Sequence, residues 1–158
     1  MTAAALHPRL QEIAEDFDAV PGKERLQLLL EYSRELPALP ERYAGHRDRM
    51  QPVPECQSPL FLAVEVDPDQ TVHLFFDAPA ESPTTRGFAS ILHAGLDGLT
   101  ADEVLATPAE FTSRLGLQDL VSPLRLRGMA AMLGRVKRQI GEHRGGLAAA
   151  APARARTP

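Results

Sequence analysis

The chain has 158 residues, 44% of them hydrophobic and 24% charged, with a formal net charge of -4 at pH 7 and one cysteine. That length suits a single domain with a full-sized core, and a lone cysteine excludes an internal disulfide, as expected of a protein kept in the reducing cytoplasm. The acidic balance offers no electrostatic footprint for nucleic acid, and no apolar run approaches the ~18 residues of a membrane span. The start, MTAAALHPRLQEIAEDF, has no cationic segment leading into an apolar one, so no export signal is expected.

Leu6, Leu10, Ile13 and Phe17 recur at helical spacing between charged neighbours and predict a first helix ending near Val20, at Pro21-Gly22. A second helix is expected through KERLQLLLEYSRELP, with Leu26, Leu29, Leu30 and Leu36 inward. It should stop before Pro37, because the residue preceding a proline disfavours helical backbone. The following PALPERYAGHRDRMQPVPEC is broken by prolines and reads mostly as loop. Its charged run, Arg42, Arg47, Asp48 and Arg49, reads as a solvated loop or, failing that, a docking surface.

LFLAVEV then places Leu60, Leu62, Val64 and Val66 on one face, and VHLFFD repeats the alternation with Val72, Leu74 and Phe76. Asp67-Pro68-Asp69 supplies a turn between them, so an antiparallel hairpin is predicted. Isolated hairpins are marginal, which requires a further strand that the pattern does not locate.

After Asp77 the chain reads as helix. Ser82-Pro83, Thr107-Pro108 and Ser122-Pro123 each join a hydroxyl N-cap to proline at the first helical position. Thr100 to Glu103 and Thr107 to Glu110 match capping boxes. Phe88, Ile91, Leu92 and Leu96 on the helix from Ser82, and Met129, Met132, Leu133, Val136 and Ile140 on that from Ser122, form the faces expected to cover the sheet. GGLAAAAPARARTP has no periodicity, so residues 145–158 are expected to be a disordered tail after a single domain over 1–144. The fold class is α+β, a small antiparallel sheet flanked by helices.

Cys56 lies in PVPECQSPLFL, behind Pro52 and Pro54 and ahead of the first long strand. Free cysteines usually pack as small hydrophobes, but a proline-framed turn between Glu55 and Gln57 points to chemistry. A reactive thiolate needs positive charge or a helix N-terminus nearby, and the adjacent sequence has neither. Glu55 works against ionisation. The expected thiol is sluggish alone and depends on a partner for activation.

Other chemistry finds little support. His7, His46, His73, His93 and His143 show no ligand spacing, so no metal is expected. Gly-rich phosphate loops, Ser-x-x-Lys and G-x-S-x-G are absent. Arg86-Gly87, after Thr84-Thr85, lies near a helix start that could meet an anion, although capped starts mostly satisfy themselves. Gly128 within the last helix costs about 1 kcal/mol relative to alanine, which suggests a close backbone approach there.

LPALPER, then CQS at Cys56, Gln57 and Ser58 before an apolar strand, then SPLRLRGMAAM from Ser122, fall in order across residues 6–140. Together they resemble the SufE family of sulfur acceptors. The resemblance implies a SufE/IscU-like fold with Cys56 as persulfide acceptor and Glu55, Gln57, Ser58, Arg125 and Gly128 as supporting residues. Arg125 and Gly128 match the family's SP-x-R-xx-G pattern, the arginine placed to brace the cysteine loop or face a partner, whereas Glu55 stands where many members carry glycine. The implied partners are a SufS-type, pyridoxal-phosphate cysteine desulfurase and a SufBCD-type scaffold, with no cofactor or metal on the acceptor and a monomer or weak homodimer as its state.

Three other readings compete. A related U-type cluster scaffold would need several thiolates, and clusters are usually held by four. A one-cysteine thiol peroxidase would carry threonine three residues before the cysteine, where this chain has Val53. An interaction or regulatory module would make Cys56 incidental.

Overall fold

The structure, a computed structural model, describes residues 6–156 apart from Gln57, with side chains through His143. Helix α1 spans Pro8–Ala19, with Pro8 in the first turn, where a missing N–H is harmless. His7 caps it, Nδ1 accepting from the Arg9 N–H at 3.1 Å. The expected stripe is inward, with Leu10, Ile13, Ala14 and Phe17 buried.

Helix α2, Gly22–Ser33, ends earlier than the distance to Pro37 suggests. Its last turn tightens as Arg34 N–H donates to Glu31 O and Glu35 N–H to Tyr32 O. The Ser33 carbonyl is taken by Arg86 Nε at 2.9 Å, which fixes the end of the helix. Leu36 is buried as expected, but from the loop beyond, and Leu26 and Leu30 are only half-buried.

The strand that the sequence pattern leaves unlocated is β1, Gln51–Pro52. It pairs antiparallel with β2, Phe61–Val66, which pairs antiparallel with β3, Val72–Asp77, in the order β1-β2-β3. Two residues, one of them a proline, carry no alternation to detect. The segment 53–60 is therefore itself a hairpin loop, closed where Val53 N–H donates to Leu60 O at 2.9 Å.

Helices α3, Pro83–Leu96, and α5, Pro123–Arg156, lie against the sheet, α3 on β3 and α5 on β2. Between them Leu62, Val64, Leu74, Phe76, Ile91, Leu92, Met129, Met132, Val136 and Ile140 join one core. Arg42 and Arg47 cover the opposite face of the sheet. Arg42 sits over Tyr43 and Phe75 and pairs with Glu65, while Arg47 sits 4.8 Å from the Phe61 ring centroid and pairs with Asp77. Those two members of the charged run thus lie over the aromatic outer surface while staying exposed to solvent, as expected of them.

Side chains also reach the backbone at both margins of the sheet. Gln139 Oε1 accepts from the Val64 N–H at 3.1 Å, His143 Nε2 donates to the Val64 carbonyl at 2.8 Å, and Asp97 Oδ1 accepts from the Leu74 N–H at 2.7 Å.

The helix starts divide. Thr100 and Glu103 form the expected capping box before α4, Ala101–Leu105. Ser122 Oγ accepts from the Arg125 N–H at 3.3 Å, whereas the Ser82 hydroxyl makes no cap bond. Thr107 to Glu110 is not a capping box. Thr107 is buried and its hydroxyl turns back to Glu103 O at 3.2 Å, while Pro108 opens a 3₁₀ stretch, Ala109–Leu115, that Gly116 ends at φ 66. A backbone carbonyl left at the end of α4 has outcompeted the helix start.

Helix α5 continues through residues 145–156, the stretch expected to be an irregular tail. The four alanines at 148–151 favour helix intrinsically, although Gly145, Gly146 and Pro152 in the same stretch oppose it. Among the described residues, no helix is long and apolar enough to cross a membrane.

Candidate functional site

Cys56 sits in the loop between β1 and β2, in a 3₁₀ turn, Pro54–Cys56, closed by its own N–H donating to Val53 O at 3.1 Å. Pro52 and Pro54 restrict the approach to that turn. The side chain points inward, leaving the residue 4% exposed within the hydrophobic core. Its floor is Gly128 of α5, whose carbonyl accepts from Sγ at 3.6 Å, a weak thiol hydrogen bond.

The glycine leaves the room that the cysteine turn occupies. A Cβ at position 128 would stand 3.1 Å from Cys56 Cα, 3.3 Å from Sγ and 3.3 Å from the Glu55 carbonyl oxygen. The close approach expected at Gly128 is to the cysteine turn itself.

Burial is the first cause pushing the thiol up to about 12, and the Glu55 carboxylate is the second. Arg135 opposes both. Its Nη2 donates to the two Glu55 carboxylate oxygens at 3.0 Å each, and that bond holds the Glu55 carboxyl below its usual range. Cys56 at rest is therefore a neutral, shielded thiol and not a nucleophile.

The structure brings Glu55, Cys56 and Gly128 together. Ser58 lies at the far side of the loop, its hydroxyl 3.4 Å from that of Thr85, a buried residue in the first turn of α3. Arg125 is exposed at the start of α5, and the bond it makes there is through its backbone N–H to Ser122. Gln57 lies outside the described residues.

Arg86 and Gly87 both serve packing. Arg86 donates to Ser33 O and Ala78 O, and a Cβ at Gly87 would stand 2.6 Å from the Leu29 carbonyl oxygen. Arg135 is the site residue that adjacency in sequence conceals. The signal available was its spacing of seven from Gly128, which returns to nearly the same face of a helix.

A broad groove of about 640 Å³ opens elsewhere, lined by Asp48, Arg49, Gln51, Gln139, Glu142 and His143 among others. Cys56 is not part of its wall. Among the described residues, no three His, Cys, Asp or Glu side chains converge as a metal site would require.

Residues 11–140 match the family model described as SufE, Fe-S metabolism associated domain. The chain belongs to the SufE family. A SufE-like protein of Mycobacterium tuberculosis is 57% identical over 143 residues, covering 90% of this chain and 99% of its own length. A Plasmodium falciparum protein named cysteine desulfuration protein SufE is 22% identical, over 84% of this chain and 53% of its own length. The solution structure of a hypothetical protein from Thermus thermophilus matches with a TM-score of 0.76 at 36% identity, covering 87% of this chain and 97% of that one. Within the SufE family match fall the cysteine loop, the hairpin and the stretch of α5 that carries Gly128 and Arg135.

Proposed function

We propose that the chain is a sulfur acceptor, in which Cys56 takes sulfur from a cysteine desulfurase and passes it on for iron-sulfur cluster assembly. The observation that carries this reading is a single cysteine placed at the hairpin loop of a SufE-family domain and sheltered against Gly128. In the transfer, the Cys56 thiolate attacks the terminal sulfur of a persulfide on the donor. The donor's S–S bond breaks, its cysteine leaves as a thiolate, and a Cys56 persulfide forms with no net oxidation.

The donor is a SufS-type desulfurase, whose own pyridoxal phosphate supplies the chemistry that frees sulfur from cysteine. The recipient is a SufBCD-type scaffold. Clearing sulfur from the donor stimulates its turnover, and the acceptor holds no cofactor or metal of its own while working in the cytoplasm. A thiol held neutral and inward supports a carrier that reacts only when its turn is drawn out, which also spares it from stray oxidants.

Incubation with a cysteine desulfurase, its pyridoxal phosphate and cysteine, followed by intact mass measurement, tests the proposal. The expected result is one added sulfur on the wild-type chain, faster desulfurase turnover, and loss of both in Cys56→Ser. No adduct together with no stimulation overturns it.

A further inference from the structure

Glu55 and Arg135 are 80 positions apart, one on the cysteine turn and the other on α5, yet a single Arg135 nitrogen bonds both oxygens of the carboxylate. The pair is unevenly placed. The Glu55 side chain is 46% exposed and that of Arg135 only 16%, and Arg135 Nε is buried with no hydrogen-bond partner. A guanidinium set so deep is already largely committed to its place, so holding it costs little further side-chain entropy.

Gly128 and Arg135 lie on one stripe of α5, seven residues and almost two turns apart. The cysteine turn meets that stripe at two points, the sulfur end on Gly128 and the carboxylate end on Arg135. The first is a weak thiol hydrogen bond and the second a charged one, which is the stronger kind. At the other side of the loop the Ser58 to Thr85 contact is long and neutral. Cys56 cannot meet a donor sulfur while its side chain is turned inward, and swinging the turn outward draws Glu55 away from Arg135.

We infer that the Glu55–Arg135 ion pair is a latch that holds the cysteine turn shut on α5, and that Arg135 is a positioning residue acting on Cys56 through Glu55. The purpose of the latch rests on the reading of Cys56 as a sulfur acceptor, while the latch itself is a property of the isolated chain.

The test is the rate at which iodoacetamide alkylates Cys56 in the folded full-length chain at one mildly alkaline pH, with folding checked by circular dichroism. The variants are Glu55→Gln, Arg135→Gln and the charge swap Glu55→Arg with Arg135→Glu. A latch makes both single variants faster, by roughly twofold to tenfold for a partly exposed pair, and the swap returns the rate close to wild type. Local electrostatics without a latch gives opposite signs: losing Glu55 speeds the thiol and losing Arg135 slows it.

Opposite signs, or a swap faster than Glu55→Gln, overturn the latch. If Arg135→Gln does not fold, the comparison of Glu55→Gln with the swap still decides, because an arginine beside Cys56 slows the reaction only by restoring the pair. Sulfur uptake by the wild-type chain from a desulfurase is read separately by mass. No uptake with both single variants alkylated faster leaves the latch standing and the relay fallen; uptake without faster alkylation does the reverse.

Discussion

At the scale of the residue, the surroundings of Cys56 act to keep a proton on it. An ordinary cysteine ionises at ~8.5, whereas the folded chain holds this thiol up to about 12, first by burial and then by the Glu55 charge. The sign follows directly. Below the ordinary value both the closed and the released thiol are protonated and pH has no effect; above it only the released thiol ionises, so release becomes easier until the closed-state value is reached. Alkylation of the wild-type chain is accordingly expected to be much slower than that of free cysteine near neutrality. It should keep rising past the pH at which free cysteine levels off, up to the onset of unfolding. A rate profile that levels off at ~8.5 would show an accessible, ordinary thiol. Part of this was legible in the sequence, since Glu55 beside Cys56 already argues for a reluctant thiolate. The larger cause, burial, was not. PVPECQSP reads as a polar turn, and only the packing of that turn onto Gly128 shows that its sulfur faces the core.

At the scale of the element, the two glycines that matter are those whose missing Cβ lets helices meet backbone. Gly87 of α3 leaves room for the Leu29 carbonyl, and a methyl there would lie 2.6 Å from that oxygen, closer than real Cβ atoms come. Gly87→Ala is expected to destabilise the protein by about 1–3 kcal/mol despite alanine's better helix propensity, measured by urea denaturation. Gly128→Ala is expected to behave differently. Its methyl meets a turn that can move outward, so the ~1 kcal/mol gained in helix propensity offsets much of the crowding. Its melting temperature should shift little while Cys56 alkylates faster, and a slower thiol would contradict the packing described. Periodicity located α1, β2, β3, α3 and α5, because each buries a stripe long enough to repeat. It failed for β1, which is two residues long, and at Thr107, where a cap signature lost to a nearer carbonyl.

At the scale of the whole molecule, one core ties the parts together, and some of its anchors come from stretches without pattern. Phe111 lies in the 3₁₀ stretch between α4 and α5 and is fully buried. Phe111→Ala is expected to cost ~3–5 kcal/mol, a large share of the ~5–15 kcal/mol that holds a domain of this size together, and thermal melting would measure it. Nothing about AEFTSRL marks that phenylalanine as a keystone, since a lone aromatic in a short turn has no period to read. The α+β architecture and the cysteine loop were legible because they rest on repeats and on ordered motifs, whereas the Glu55–Arg135 contact joins distant parts of the chain. The side chains that reach the sheet have a further consequence. Gln139 and His143 occupy the N–H and carbonyl of Val64, where β2 runs on beyond the short β1, and Asp97 occupies the N–H of Leu74 on β3, so at both places a backbone group that an added strand would need is already taken. A neighbouring strand would have to displace those side chains before it could extend the sheet at either place.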